Sequence, residues 1–234
     1  MVISAVAAAH PCQVLDINML DSFIGNVEST EASPNAAAIE TLSGFPESVG
    51  GEIVFMDMDN QDTDQIYPGS MTYESNVSKE AMAKACTRNY DPDFQKVIRP
   101  NDILVSGNGF GYGSSRGQAA TDTLANSIHL VVAGSFSNIF SRNSIDNGLM
   151  GLELPRLVQR LRAAFPKDAK NPIPTFRTGW TLEWDVKKSM VHVQESEGGE
   201  KWTEKVGDIP PNVQEIIALG GLEEWCKHEL NKAG

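Results

Sequence analysis

An α/β fold with a β-rich tail is predicted by three features of the chain. Between residues 103 and 165, short apolar runs alternate with helix-patterned runs, as in strands and helices laid down in layers. A glycine-rich run, Gly107-Asn108-Gly109-Phe110-Gly111-Tyr112-Gly113-Ser114-Ser115-Arg116, stands between one such strand and its helix. Beyond residue 180 the apolar period drops to two, the pattern of an antiparallel meander.

Taken in order, residues 1–48 read as an N-terminal extension, partly helical, and 49–234 as the domain proper. Val14 to Phe23 and Asn35 to Leu42 carry loosely helical spacing, with a linker-like Glu28-Ser29-Thr30-Glu31-Ala32-Ser33-Pro34 between them. Gly50-Gly51 opens the domain and Glu52 to Met56 reads as its first strand. Asp57, Asp59, Asp62 and Asp64 follow as an acidic strand-end turn, and Tyr67-Pro68-Gly69-Ser70 as another turn. Ser78 is a good N-cap for a helix through Cys86, with Glu80 in its first turn.

The central unit is strand Ile103 to Ser106, the glycine run, a helix over 115–126 and strand Ile128 to Ala133. Ser135 to Asn147 reads as a helix closed by Gly148. Leu149 to Leu154 is a strand, and Pro155 opens a helix to about Phe165, at the first helical position that tolerates proline. Trp180 to Val186, Met190 to Gln194 and Lys201 to Val206 form the meander. Pro211 to Ile217 and Leu222 to Leu230 are amphipathic helices split by Gly220-Gly221. No internal repeat is visible.

With 41% apolar and 21% charged residues in 234, the chain has the composition of a globular protein. A net charge of −12 without a basic cluster argues against nucleic acid and anionic membranes. An anionic substrate therefore needs local cationic focusing. No apolar stretch approaches a membrane span, and the opening Met1 to Ala9 lacks the basic start of a secretory signal. Cys12, Cys86 and Cys226 lie more than 70 residues apart, with no CxxC pair. The histidines show no HxH or HxxxH pairing, so no metal site is expected in this chain. Scattered thiols fit a reducing compartment, cytoplasmic or mitochondrial.

Several motifs are approached and then missed. The glycine run has G-x-G-x-G spacing, not G-x-G-x-x-G, and no acidic residue ends the next strand as dinucleotide binding demands. Neither a Walker A loop nor a G-x-S-x-G nucleophile elbow occurs at this run. The four aspartates lack the central glycine and twelfth-position glutamate of a calcium loop, so an acidic turn is the preferred reading. What remains is glycine-permitted backbone followed by two hydroxyls and a guanidinium where a helix begins. Free backbone N–H groups and partial positive charge suit an anion there, carboxylate or phosphate. The plain alternative is a capping serine beside a surface arginine.

Three ordered motifs sharpen this. They are Asp62-Thr63-Asp64-Gln65-Ile66-Tyr67-Pro68-Gly69, Gly109 through Ala120, and Ser135-Phe136-Ser137-Asn138-Ile139-Phe140-Ser141-Arg142-Asn143-Ser144-Ile145-Asp146-Asn147-Gly148. Together they resemble the swivel domain (small subunit or C-terminal domain) of the aconitase superfamily, in its fungal homoaconitase and 3-isopropylmalate dehydratase branch. The resemblance covers roughly residues 50 to 230. It implies a swivelling β/β/α domain and a hydro-lyase acting by dehydration and rehydration of a hydroxy polycarboxylate.

By motif position, Ser114 would remove the carbon-bound proton, Arg116 would clamp a substrate carboxylate, and Asp64 would join the acid–base network. Ser115, Gly113, Thr63, Ser70 and Tyr112 would complete the substrate-binding set. In this family a 4Fe–4S cluster sits in the large subunit or N-terminal domains. The resemblance thus implies no cofactor in this chain and a cluster only from a separate large subunit.

Two departures stand out. Gly117 occupies the position where the family has Glu, which is expected to loosen Arg116. Ser70-Met71-Thr72-Tyr73 replaces Lys-Tyr-Thr-Tyr, neutralising a substrate-selecting loop. These motivate a second reading: a stand-alone, cofactor-independent isomerase, cyclase or lyase of secondary metabolism using the same pocket. A third is a non-enzymatic relative that binds the large subunit. The expected partners are a small carboxylate substrate and a large subunit or a second copy of the chain.

Overall fold

The computed structural model describes residues 42–74, 77–167 and 173–233. Expectations for residues 1–41, including both helices placed there and Cys12, fall outside the described residues.

Among those residues seven strands form one mixed sheet: β1 (Ser48–Met56), β2 (Ile103–Ser106), β3 (Leu130–Ala133), β4 (Met150–Glu153), β5 (Phe176–Asp185), β6 (Met190–Gln194) and β7 (Lys201–Lys205). Their spatial order is β4-β3-β2-β1-β5-β6-β7. β1 to β4 run parallel, while β5 pairs antiparallel with β1 and continues through β6 and β7. The meander is therefore no separate module. It extends the parallel layer through β1, which pairs with β2 along one edge and with β5 along the other over its 9 residues.

That length corrects the expected start at Glu52. Gly50 and Gly51 lie inside β1, opposite Glu183 and Leu182. A Cβ on Gly51 would stand 2.0 Å from the Asn101 carbonyl oxygen, so glycine here admits a neighbouring backbone.

The helices are α1 (Thr63–Ile66), α2 (Lys79–Ala85), α3 (Phe94–Val97), α4 (Gln118–Ala125), α5 (Asn138–Asp146), α6 (Pro155–Ala164), α7 (Pro211–Ala218) and α8 (Leu222–Ala233). In β1, Ile53 and Phe55 face one core with Val105, Val132, Leu157, Leu161 and Trp184. Val54 and Met56 face the other, with Leu104, Val131, Ala119, Ala120 and Phe140. Burial on both faces explains why β2 and β3 read as apolar runs, while the edge strand β4 alternates, as do β5 and β6.

Two short helices, α1 and α3, were not expected. α1 replaces part of the acidic turn because Asp62 and Gln65 make a reciprocal capping box. α4 starts at Gln118 rather than 115, since Gly113 holds φ +103° and the chain turns helical only at Gly117. α5 starts at Asn138: the Ser137 hydroxyl accepts from Phe140 N, while Ser135 Oγ accepts from Gly109 N instead.

Candidate active site

The loops after β1, β2 and β3 all leave the carboxyl edge of the parallel strands, where α/β sheets characteristically bind ligands. The glycine run is stitched to both neighbours. Gly107 N donates to the Met58 carbonyl at 3.1 Å, and Gly111 N and Tyr112 N both donate to the Gln61 carbonyl at 2.9 and 3.0 Å. On the other side, Phe110 N donates to the Ser135 carbonyl at 3.0 Å, and Ser137 Oγ to that of Gly111 at 2.6 Å. A Cβ on Gly111, at φ +75°, would lie 2.3 Å from Phe140 Cβ, so the run packs directly on α5. This part of the run is a fixed rail. What it presents is the segment 113–116.

Each aspartate of the acidic turn has a separate task. Asp57 Oδ1 and Asp59 Oδ1 accept from Arg162 of α6 at 2.7 and 2.8 Å, and Lys167 adds 3.1 Å to Asp57. The Arg162 hydrogen bond holds the Asp59 carboxyl below its ordinary range. Asp62 caps α1. Asp64 reaches the glycine run: its Oδ1 accepts from Arg116 Nη1 at 2.9 Å and from Gly69 N at 2.7 Å. Asn89 Nδ2 donates to Asp64 Oδ2 at 3.1 Å and to its carbonyl at 3.0 Å. The Gly69 N–H first, then Arg116, hold this carboxyl below the ordinary aspartate range, so it is ionised at neutral pH.

Arg116 is not loosened by Gly117. Its Nη1 also donates to the Tyr67 carbonyl at 3.3 Å, and its side chain is only 21% exposed against 52% for Asp64. Only Nη1 is used, so among the described residues the edge formed by Nε and Nη2 stays open for a planar anion. Gly69 makes room for this pair, because a Cβ there would stand 2.6 Å from Asp64 Oδ1 and 2.9 Å from Arg116 Nη2.

Ser114 is exposed, and its Oγ shares a hydrogen with Thr63 Oγ1 at 2.9 Å. Thr63 itself is buried, at 2% exposure. Among the described residues, the backbone N–H groups of Gly113, Ser114 and Ser115 meet no protein acceptor. These amides precede the first turn of α4 and are loop donors left free for an anion.

Asn143 Nδ2 lies 3.5 Å from Ser115 Oγ, the outer limit of a hydrogen bond. Tyr112 projects outward at 63% exposure. Ser70 is exposed in the 3-10 turn Gly69–Met71, one residue past the amide that binds Asp64. Ser114, Thr63, Arg116 and Asp64 are thus drawn together by hydrogen bonds, with Gly113, Ser115, Tyr112 and Ser70 on the flanking backbone. Sequence reasoning missed Asn89, Gln61 and Asn143. Only the capping box at Asp62 and Gln65 carried a readable signal.

The arrangement is open. None of the cavities of 390 to 620 Å³ described on this surface is lined by Ser114, Arg116 or Asp64. The described residues do not fit a cluster or a metal ion either. Cys86 is buried, and burial raises its thiol well above the ordinary value, while Cys226 stands exposed on α8. Among the described residues no group of three or more His, Cys, Asp or Glu side chains could hold a metal. No described helix is long and apolar enough to cross a membrane.

Residues 22–157 match the aconitase C-terminal domain family. The chain is 58% identical over 203 residues to the mitochondrial homoaconitase of Aspergillus oryzae, covering 87% of this chain and 26% of that protein. Against the mitochondrial homoaconitase of Emericella nidulans it is 56% identical over 221 residues, covering 92% and 28%. The chain thus spans about a quarter of the length of these curated relatives. The crystal structure of 3-isopropylmalate dehydratase from Methanocaldococcus jannaschii superposes with TM-score 0.60 and 27% identity, covering 80% of this chain and 99% of that one.

Proposed function

The chain belongs to the aconitase C-terminal domain family, and on that footing we propose that it supplies the swivel half of a homoaconitase-type hydro-lyase site. The carrying observation is the pairing on one loop of an exposed hydroxyl, Ser114, with an anchored guanidinium, Arg116, whose second edge is open. In this reading Ser114 Oγ takes the proton from carbon. The C–H electron pair becomes the new double bond as the neighbouring hydroxyl departs. The free N–H groups of residues 113–115 and the charge of Arg116 favour the ionised serine oxygen that such a base requires.

Arg116 holds a substrate carboxylate bidentately. Asp64, ionised, fixes Arg116 and exchanges no proton. Ser115 and Gly113 border the base, and Tyr112 and Ser70 line the rim.

In this reading no described residue of this chain activates the leaving hydroxyl. We assign that activation to a 4Fe–4S cluster on a separate large-subunit partner. The exposure of Ser114, Asp64 and Tyr112 supports a partner, since it leaves this loop free to meet a second surface. The solved dehydratase chain, matched over 99% of its length, supports a free-standing unit of this size. The relatives' names support a mitochondrial setting and give secondary metabolism no support. A stand-alone enzyme would have to exclude water from Ser114, which is exposed, and no observation favours it.

The test is to assay homoaconitate hydration and 3-isopropylmalate dehydration with the purified chain, with and without a cluster-bearing large subunit. Turnover only with the partner is expected. No turnover under either condition rejects the proposal.

A further inference from the structure

Thr63 stands among the expected substrate contacts, yet its position suits a different task. It opens α1, and its side chain is 2% exposed. Its backbone is fixed at both ends of the peptide unit: Thr63 N donates to the Tyr112 carbonyl at 2.9 Å, and its own carbonyl accepts from Tyr67 N at 2.9 Å. A substrate carboxylate has no access to a hydroxyl so placed. The one hydrogen-bond partner of Thr63 Oγ1 among the described residues is Ser114 Oγ, 2.9 Å away.

Coordinates alone leave the direction of that bond open, but burial decides it. If Ser114 donated, the proton of Thr63 would point into the interior with no acceptor, and leaving a buried donor unpaired is the costly arrangement. If Thr63 donates, its proton is satisfied and Ser114, which is exposed, keeps its own proton on the solvent and substrate side. We propose that Thr63 is a positioning residue that donates to Ser114 Oγ, fixing its rotamer and strengthening as that oxygen becomes ionised. A hydrogen bond to an ionised oxygen is shorter and about twice as strong as one between neutral groups. The bond therefore favours the basic form of Ser114 before it meets the substrate carbon. Gly113 completes the geometry: a Cβ there would stand 3.7 Å from Thr63 Oγ1, and φ +103° lets the chain turn past it.

This inference rests on Ser114 being the base, so the two are tested together in the cluster-containing assembly. Thr63→Val removes the hydroxyl and keeps the shape, whereas Thr63→Ser keeps the hydroxyl. Thr63→Val is expected to lower kcat roughly 10- to 100-fold with little change in KM. The acid limb of its kcat–pH profile should move to higher pH by about one unit or more. Thr63→Ser should restore both.

Thermal melts of the chain alone separate this from misfolding, and Thr63→Ala serves in place of Thr63→Val if the latter is unstable. An unshifted acid limb in the folded valine or alanine variant, or a serine variant as impaired as valine, overturns the role of Thr63. If Ser114→Ala is inactive in the same assay, that failure touches Thr63 alone. A fully active Ser114→Ala overturns both readings.

Discussion

Through Nη1, Arg116 is tied to Asp64 at 2.9 Å and to the Tyr67 carbonyl at 3.3 Å, which leaves Nε and Nη2 without a protein acceptor among the described residues. Lysine would keep the charge and lose that fork. Arg116→Lys is predicted to lower kcat/KM roughly 10- to 100-fold in the partnered enzyme, measured by steady-state kinetics. Asp64 lends itself to titration. Its folded value is depressed below 3.8, so whatever it contributes to stability is present above 3.8 and lost as pH falls through the lower folded value. An NMR titration should place its midpoint below 3.8, and Arg116→Ala should bring it back toward 3.8.

Asp122 has the opposite sign. It is fully buried, its Oδ2 has no hydrogen-bond partner, and burial raises it well above 3.8. Its share of stability is complete below 3.8 and is lost as pH rises toward the folded value. Asp122→Asn should therefore melt close to the parent near pH 4 and higher than it at pH 7, by roughly 2–4 °C per kcal/mol relieved. At this scale the proximity of Arg116 to Asp64 and of Ser114 to Thr63 could be anticipated from their motifs. That of Asn89 could not, because its bond to Asp64 spans 25 residues and depends on where α2 ends.

Among the elements, the glycine run and α5 form one unit. Phe110 packs edge-on against Phe140 with centroids 4.9 Å apart, and Gly111 meets Phe140 directly. Gly111→Ala adds a clash to a backbone that alanine adopts poorly. A loss of about 2–4 kcal/mol is expected in urea unfolding, since strain and overpacking both act. A stability close to the parent would show that α5 can retreat.

Element types were largely readable, because the central strands are apolar and the Ser78 cap and the Pro155 helix start are local signals. Boundaries were less so. α4 begins late because Gly113, at φ +103°, keeps the loop out of helical backbone before Gly117, which periodicity does not report. α1 was hidden for a different reason: four closely spaced aspartates read as a turn, whereas one of them caps a helix and the other three hold Arg162, Lys167 and Arg116.

For the whole molecule, the α/β layer followed from alternation in the chain, but the joining of the meander to it did not. β1 carries both ladders, pairing parallel with β2 and antiparallel with β5, and a register of this kind has no counterpart in local sequence. The fold gathers an exposed hydroxyl, Ser114, and an anchored guanidinium, Arg116, at the carboxyl edge of the parallel strands. The proposed chemistry calls for a second surface at that edge.

The most direct measurement is homoaconitate hydration by the chain alone, by the chain with a cluster-bearing large subunit, and by that mixture carrying Ser114→Ala. The account predicts turnover only in the complete mixture, with Ser114→Ala slower by roughly 10²–10⁴-fold. Turnover by the iron-free chain alone, or parental rates from Ser114→Ala, would contradict it.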